Sequence, residues 1–167
     1  MRHLVLFLFV IFAFNASAQT LYVVDGGTAK KVFSVNASTG VKTEIKSGLT
    51  NPWGITLDRD GNLIVATNYL GTNSDIKKYS ITGNDLSFSC SGVTKVIDVA
   101  VRADGNIGMV NYGDEKFYLV DKTTGSIIGT EKVLPLTTSP QCVAFDASNN
   151  IYVASNNRYK VIKSRNG

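Results

Sequence analysis

The side chains in this chain that could do chemistry are amides, carboxylates, phenols and one indole, gathered in short polar segments between apolar runs. Asn68-Tyr69, Asn111-Tyr112 with Asp114, and Asn156 with Arg158 follow three such runs, and Asp25 closes a fourth. Trp53, Asp98 and Gln141 stand near the beginnings of three others. Tyr and Arg favour interfaces, while Asn and Gly are common wherever the chain must turn. Two roles therefore compete at these loops, ligand contact and turn formation, and at Trp53 ligand stacking competes with packing.

The one histidine of the sequence is His3. Residues 19–167 therefore lack an imidazole, which removes Ser-His-Asp and Cys-His catalysis, histidine general bases and histidine-bound zinc from that stretch. The remaining set suits ligand binding, with no catalytic group, metal or cofactor expected. Asp58-Arg59-Asp60-Gly61-Asn62 has the look of a calcium loop, but an EF-hand loop needs a bidentate Glu at its twelfth position. Counted from Asp58 that position is Tyr69, so a turn is expected. Asn36-Ala37-Ser38 fits the glycosylation pattern, which matters only in a host that glycosylates.

The elements that position these residues repeat. Leu57-Asp58-Arg59-Asp60-Gly61-Asn62 leads into Leu63–Thr67, Val101-Arg102-Ala103-Asp104-Gly105-Asn106 into Ile107–Asn111, and Phe145-Asp146-Ala147-Ser148-Asn149-Asn150 into Ile151–Ser155. From Gly61 to Gly105 to Asn149 the step is 44 residues each time. A period of that length filled with short strands implies one propeller blade per period. The fold class is thus all-β, a β-propeller of four-stranded antiparallel blades.

Strands A to D run from centre to rim. Strand A is predicted at Trp53–Asp58, Ile97–Arg102 and Gln141–Asp146, and strand B at Leu21–Asp25, Leu63–Thr67, Ile107–Asn111 and Ile151–Ser155. The B strands are apolar on both faces, as strands between two neighbouring sheets should be. Asp60-Gly61 and Asp104-Gly105 mark the A–B hairpins, and Thr39-Gly40, Thr82-Gly83 and Thr124-Gly125 the C–D turns. The strand pattern reads BCD, ABCD, ABCD, ABC over residues 19–167, about three and a half blades. An incomplete ring whose remaining blades lie beyond Gly167 is the expectation, beside a four-bladed ring with short blades and two chains pairing into one larger ring. Open blade edges make self-association a further expectation.

Met1-Arg2-His3 is a short positive start, Leu4–Phe14 is an apolar run of 11 residues, and Ala16-Ser17-Ala18 is a small-x-small cleavage signature. Residues 1–18 read as a signal peptide cleaved after Ala18, which implies a secreted or periplasmic protein. The run is too short to cross a bilayer, which takes roughly 20 apolar residues. Without residues 1–18 the balance is 16 basic against 13 acidic side chains, and no window holds five basic residues in a row. Nucleic acid is not an expected partner, because that would need a basic face with stacking aromatics. Cys90 falls on an outer strand and Cys142 on an inner strand two blades later, too far apart for the Cα spacing of about 7 Å that a disulfide allows. Two separate thiols are expected, Cys142 the more buried.

Pro52-Trp53-Gly54-Ile55-Thr56-Leu57-Asp58 followed by Gly61-Asn62-Leu63-Ile64-Val65-Ala66 resembles the NHL-type repeat, Pro-x-Gly-Ile-Ala-x-Asp then Gly-Asn-Leu-Tyr-Val-Ala-Asp. The segment Pro140–Asp146 matches more loosely, and the copy at Val96 lacks both Pro and Gly. The resemblance covers residues 20–167 and reaches a superfamily of six-to-eight-bladed propellers that includes NHL, YVTN and gluconolactonase-like proteins. In gluconolactonase-like members it implies a divalent metal held by acidic or amide side chains just before the Gly. Trp53, Ile97 and Gln141 occupy that position here, and of these only Gln141 has the oxygen donor a hard cation needs. Asp98 is one residue away, so strand alternation turns it to the opposite face. Streptogramin-lyase-like members rely on histidine, which residues 19–167 lack.

In propellers of this type ligands usually bind where the D–A and B–C connections meet around the channel mouth. The B–C loops are expected at Asp25–Lys30, Asn68–Asp75, Tyr112–Glu115 and Asn156–Arg158. The expected function is a non-catalytic module binding a protein or a small-molecule or carbohydrate ligand there. The alternative is a gluconolactonase-like hydrolase or lyase whose catalytic residues lie on further blades, and a third reading is a fragment that only aggregates.

Overall fold

Four antiparallel sheets follow one another along the chain in the computed structural model, which describes residues 19–71, 74–128, 132–133, 139–156 and 160–164. The first sheet holds β1 (Thr20–Asp25), β2 (Lys31–Asn36) and β3 (Lys42–Lys46). The second holds β4 (Ile55–Leu57), β5 (Leu63–Thr67), β6 (Ser74–Tyr79) and β7 (Asp85–Val93). β8 (Val96–Val101), β9 (Ile107–Asn111), β10 (Lys116–Val120) and β11 (Lys132–Val133) form the third. β12 (Pro140–Phe145), β13 (Ile151–Ser155) and β14 (Lys160–Ser164) form the fourth. Each sheet is a meander with neighbours in sequence order, and no helix occurs among the described residues. The expected signal peptide and Arg158 lie outside the described residues.

β5 and β9 are buried along their whole length because each has a sheet on either side. Alternation then assigns every second residue to one neighbour. Leu63 and Val65 meet Val32 of the first sheet, while Ile64 and Ala66 meet Val99, Ile107 and Met109 of the third. Val110 and Phe117 meet Val143, Ile151 and Val153 of the fourth. Each fully buried Leu, Ile or Val contributes about 1.5–3 kcal/mol, so these three junctions hold the arc together. At the last of them Gly108 lets Phe145 come close: a Cβ there would lie 2.4 Å from the ring.

The A–B turns share one chemistry. Gly61 (φ +81°) and Gly105 (φ +92°) take the left-handed conformation, and Asn149 (φ +62°) does so in the third copy, since Asn tolerates it better than other non-glycine residues. Asp58 Oδ1 accepts from the Asp60 and Asn62 amides at 2.9 and 2.7 Å, and Asp146 Oδ1 accepts from those of Ser148 and Asn150 at 2.9 Å each. Where Arg102 replaces the aspartate, Asp104 accepts from Asn106 and pairs with Arg102. The Asp58 segment is thus a hydrogen-bonded turn.

Strand A departs from the predicted bounds. In β8 the register shifts between Val96 and Asp98, and in β12 between Pro140 and Cys142. Ahead of β4, the Ala66 carbonyl accepts from Trp53 N while Ala66 N donates to Gly54 O. Trp53, Ile97 and Gln141 are therefore the extra residues of three equivalent β-bulges, which re-aim side chains. The simple alternation used for Asp98 does not hold across such a bulge.

Both cysteines are free, but their burial is the reverse of the expectation: Cys90 is buried and Cys142 exposed. Cys90 sits in the junction between the second and third sheets. Burial, with Asp75 adding to it, pushes its thiol up to about 11. Cys142 lies on the fourth sheet, and no sheet beyond it is present among the described residues to cover it.

Candidate functional site

Asn51 (φ +37°), Lys95 (φ +52°) and Ser139 (φ +46°) end the three D–A connections in the left-handed region. Their carbonyls accept hydrogen bonds from Tyr69 N at 3.2 Å, Tyr112 N at 3.0 Å and Asn156 N at 3.2 Å. Such conformations cost of order 1–3 kcal/mol in non-glycine residues and persist where surrounding structure over-determines them. Here they stitch the D–A to the B–C connections and bring both onto one face. The B–C loop before β6 is shorter than expected, because Ser74 and Asp75 already pair in the strand.

On this face three aromatic rings form a row. Trp53 and Tyr69 have ring centroids 4.9 Å apart with planes tilted by 33°, and Tyr69 meets the edge of Tyr112 at 6.2 Å. Trp53 remains 48% exposed. Tyr69 between them is partly buried, and that burial, with Tyr112 beside it, raises its phenol. Next to Trp53 lies an open recess of about 310 Å³ lined by Val24, Gly26, Gly27 and Pro52. A Cβ on Gly26 would stand 2.4 Å from the Pro52 carbonyl, so only glycine lets the first sheet's loop pass this close.

The other candidates mostly build the loops. Asn111 is buried, and its Oδ1 accepts from the Gly113 and Asp114 amides at 2.7 and 3.3 Å. Asp25 Oδ1 accepts from Gly27 N at 2.8 Å. Asn68 has φ +59°, with its side chain tucked under Gly71. Gln141 Nε2 donates to the Ser139 carbonyl at 3.4 Å, and Asn156 is exposed. Asp114 accepts from the Tyr118 hydroxyl and the Lys116 amide. Asp98 Oδ2 accepts from Val143 N in the next sheet at 2.9 Å; burial raises its carboxyl, with the Val143 and Val99 amides opposing. Arg158 lies outside the described residues.

The structure thus brings together Trp53, Tyr69 and Tyr112 and leaves Asp25, Asn68 and Asn111 as turn formers. The glycine-floored recess is a part that the sequence reading missed; the Gly26-Gly27 pair after Asp25 is its only sequence signal. A recess of about 380 Å³ on the opposite face includes Asp58, Lys78 and Lys122. Lys78 pairs with Asp58 at 3.0 Å, and Lys122 donates to the Asp104 carbonyl at 2.9 Å. Those charges are spent on the turns. Among the described residues no group of three His, Cys, Asp or Glu side chains could hold a metal ion, and no helix is long and apolar enough to cross a membrane.

Radial sheets joined by D–A and B–C connections on one face define a protein of the β-propeller class. Solved structures agree. The chain is similar to a protein from Bacteroides caccae titled as of unknown function, at 15% identity and TM-score 0.57 over 88% of this chain and 69% of that one. It is similar to a chain of a nidogen/laminin complex at 18% identity and TM-score 0.71, over 87% of this chain and 55% of that one. It is also similar to a streptogramin B lyase at 14% identity and TM-score 0.60, over 90% and 52%. The chain therefore spans about half the length of the last two. No family model and no curated protein matches the sequence.

Proposed function

We infer that this chain is a propeller-borne binding module of the NHL-like kind, exported by its N-terminal segment, whose ligand lies across Trp53, Tyr69 and Tyr112. The observation that carries this reading is the half-exposed indole of Trp53, stacked on Tyr69 at the rim of an open recess. Aromatic side chains offer large contact area with specific geometry, and Tyr and Trp add a polar handle. A protein or carbohydrate ligand fits such a row. The nidogen/laminin neighbour is a propeller found in a protein complex, which favours a protein.

Trp53 is the single tryptophan of the chain, so its fluorescence reads the site directly. Arrays of glycans and of extracellular proteins identify binders, and each is then titrated against that fluorescence. The reading expects a binder that shifts the emission and is lost in Trp53→Ala. Binding that survives Trp53→Ala and Tyr112→Ala would overturn it.

The second reading, a metal-dependent hydrolase or lyase completed by groups outside this chain, is favoured by the likeness to streptogramin B lyase. It expects a turnover that a chelator abolishes, whereas the binding module keeps its affinity in chelator.

A further inference from the structure

A recess of about 320 Å³ lies between the first and second sheets, and its lining includes Lys46, Thr50, Thr67, Lys77, Tyr79 and Asp85. It shares no residue with the aromatic row, and the chain itself supplies both of the sheets that enclose it. β6 pairs with β5 without a shift, so alternation turns Lys77 and Tyr79 to one face. On that face Tyr79 packs with Val32, Leu49, Leu63 and Val65. Tyr79 is 2% exposed, and its hydroxyl has no hydrogen-bond partner among the described residues. A buried donor left unpaired is costly, so this position calls for a partner. Burial first, then Asp85 and Asp75, push the phenol up to about 12, so at neutral pH it keeps its proton and donates.

The charges around it are unequally spent. Lys46 stands over the Tyr79 ring at 5.0 Å and pairs with Asp85 at 2.9 Å, so those two cancel. The Lys77 ammonium is 3.9 Å from Asp75 Oδ2, beyond hydrogen-bond reach, while Asp75 Oδ1 accepts from Ser89 Oγ at 2.8 Å. Thr67 gives its hydroxyl proton to the Asp75 carbonyl at 3.2 Å.

We propose that this recess is a further binding site, for a tetrahedral oxyanion of the phosphate or sulfate kind, held by the Lys77 ammonium and the Tyr79 hydroxyl with Thr50 at its edge. The groups left unspent are donors, an ammonium that never accepts and a phenol, and negatively charged oxygens satisfy both at once. The donors stand singly and no guanidinium lines the recess, whereas a planar carboxylate is best met by an arginine fork. A water takes about 30 Å³, so the recess also has room for a small polar group esterified to the anion.

Isothermal titration calorimetry of the full chain with inorganic phosphate, sulfate, glycerol 3-phosphate and acetate, at constant ionic strength, tests this. Phosphate is expected to bind saturably, one per chain. Lys77→Met is expected to weaken it about tenfold or more, as the loss of a hydrogen bond between charged groups does. Tyr79→Phe, which removes the hydroxyl and keeps the ring, is expected to weaken it less, and Trp53→Ala to leave it unchanged. Circular dichroism confirms the fold of each variant. As a second readout, phosphate is expected to raise the thermal midpoint of the wild type more than that of Tyr79→Phe, whereas the general stabilising effect of such salts acts on both alike. Glycerol 3-phosphate binding tighter than phosphate assigns the site to an organic phosphate, and the reverse order assigns it to the free anion. The proposal is refuted by phosphate that does not bind saturably, by acetate binding as tightly as phosphate, or by phosphate binding that survives both Lys77→Met and Tyr79→Phe.

Discussion

Asp98 on one inner strand accepts a hydrogen bond from the backbone amide of Val143 on the next, 2.9 Å away. A side chain thereby does between sheets what the ladder does within them, and a Cβ on Gly54 would press on Asp98 from the other side, 2.7 Å from its Cα. Asp98→Ala leaves the Val143 amide without this partner. The expected loss is about 1–3 kcal/mol, the cost of an unsatisfied buried donor, read from urea unfolding.

The pH dependence of Asp98 has a definite sign. Burial raises its carboxyl above the ordinary value, so the folded state binds the proton more tightly than the unfolded state. Its contribution to stability is full below the unfolded value of about 3.9 and falls as pH rises through the folded value. Asp98→Asn removes that slope. The gap between wild-type and Asp98→Asn unfolding midpoints should shift in the variant's favour as pH climbs through this window.

Asp146 should behave in the opposite way. The Asn150 side-chain amide is the main cause that holds it down to about 2 against desolvation, helped by the Asn150 amide, Tyr152 and Ser148. A depressed carboxylate stabilises above the unfolded value and loses that contribution as pH falls toward the folded one. Asp146→Ala is expected to lower the thermal midpoint at neutral pH, with the difference from wild type shrinking as pH approaches 2.

Gly108→Ala should loosen the junction between the third and fourth sheets. The added methyl would meet the Phe145 ring at 2.4 Å and the Phe117 ring at 2.9 Å. Overpacking of this kind costs about 1–3 kcal/mol. Differential scanning calorimetry should show a lower midpoint for Gly108→Ala, and Gly108→Ala/Phe145→Leu should recover part of it.

The two thiols should separate kinetically. In dilute native protein at mildly alkaline pH a disulfide reagent is expected to modify Cys142 quickly. Cys90, 1% exposed and with its thiol pushed up to about 11, should react only on unfolding. Reaction at Cys90 as fast as at Cys142 would contradict the packing of β7 against the third sheet.

Much of the fold was legible because the repeat marks itself with turn residues and two-sided apolar strands. β5, β9 and β13 run between the residues that spacing predicts. The inner strands were less legible, because a bulge adds one residue without any composition of its own: an indole, an aliphatic chain and an amide fill the three equivalent places. The burial of Cys90 was hidden for another reason, since whether a strand is covered depends on the sheet beside it. At the site, Trp53 and Tyr69 could be named from type, but their 4.9 Å stacking depends on the left-handed Asn51 linkage, which no local pattern announces. Asn111 and Asp25 were drawn by the same polar signal to a structural task.

The meander order of every sheet has a consequence for how the chain acquires its shape. Each strand pairs with the one made just before or just after it, so partners leave the ribosome together and the loop to be closed is always short. Loop-closure entropy is then small at every step, and each completed sheet offers a template to the next. Assembly during synthesis can therefore advance from the N-terminal side one sheet at a time.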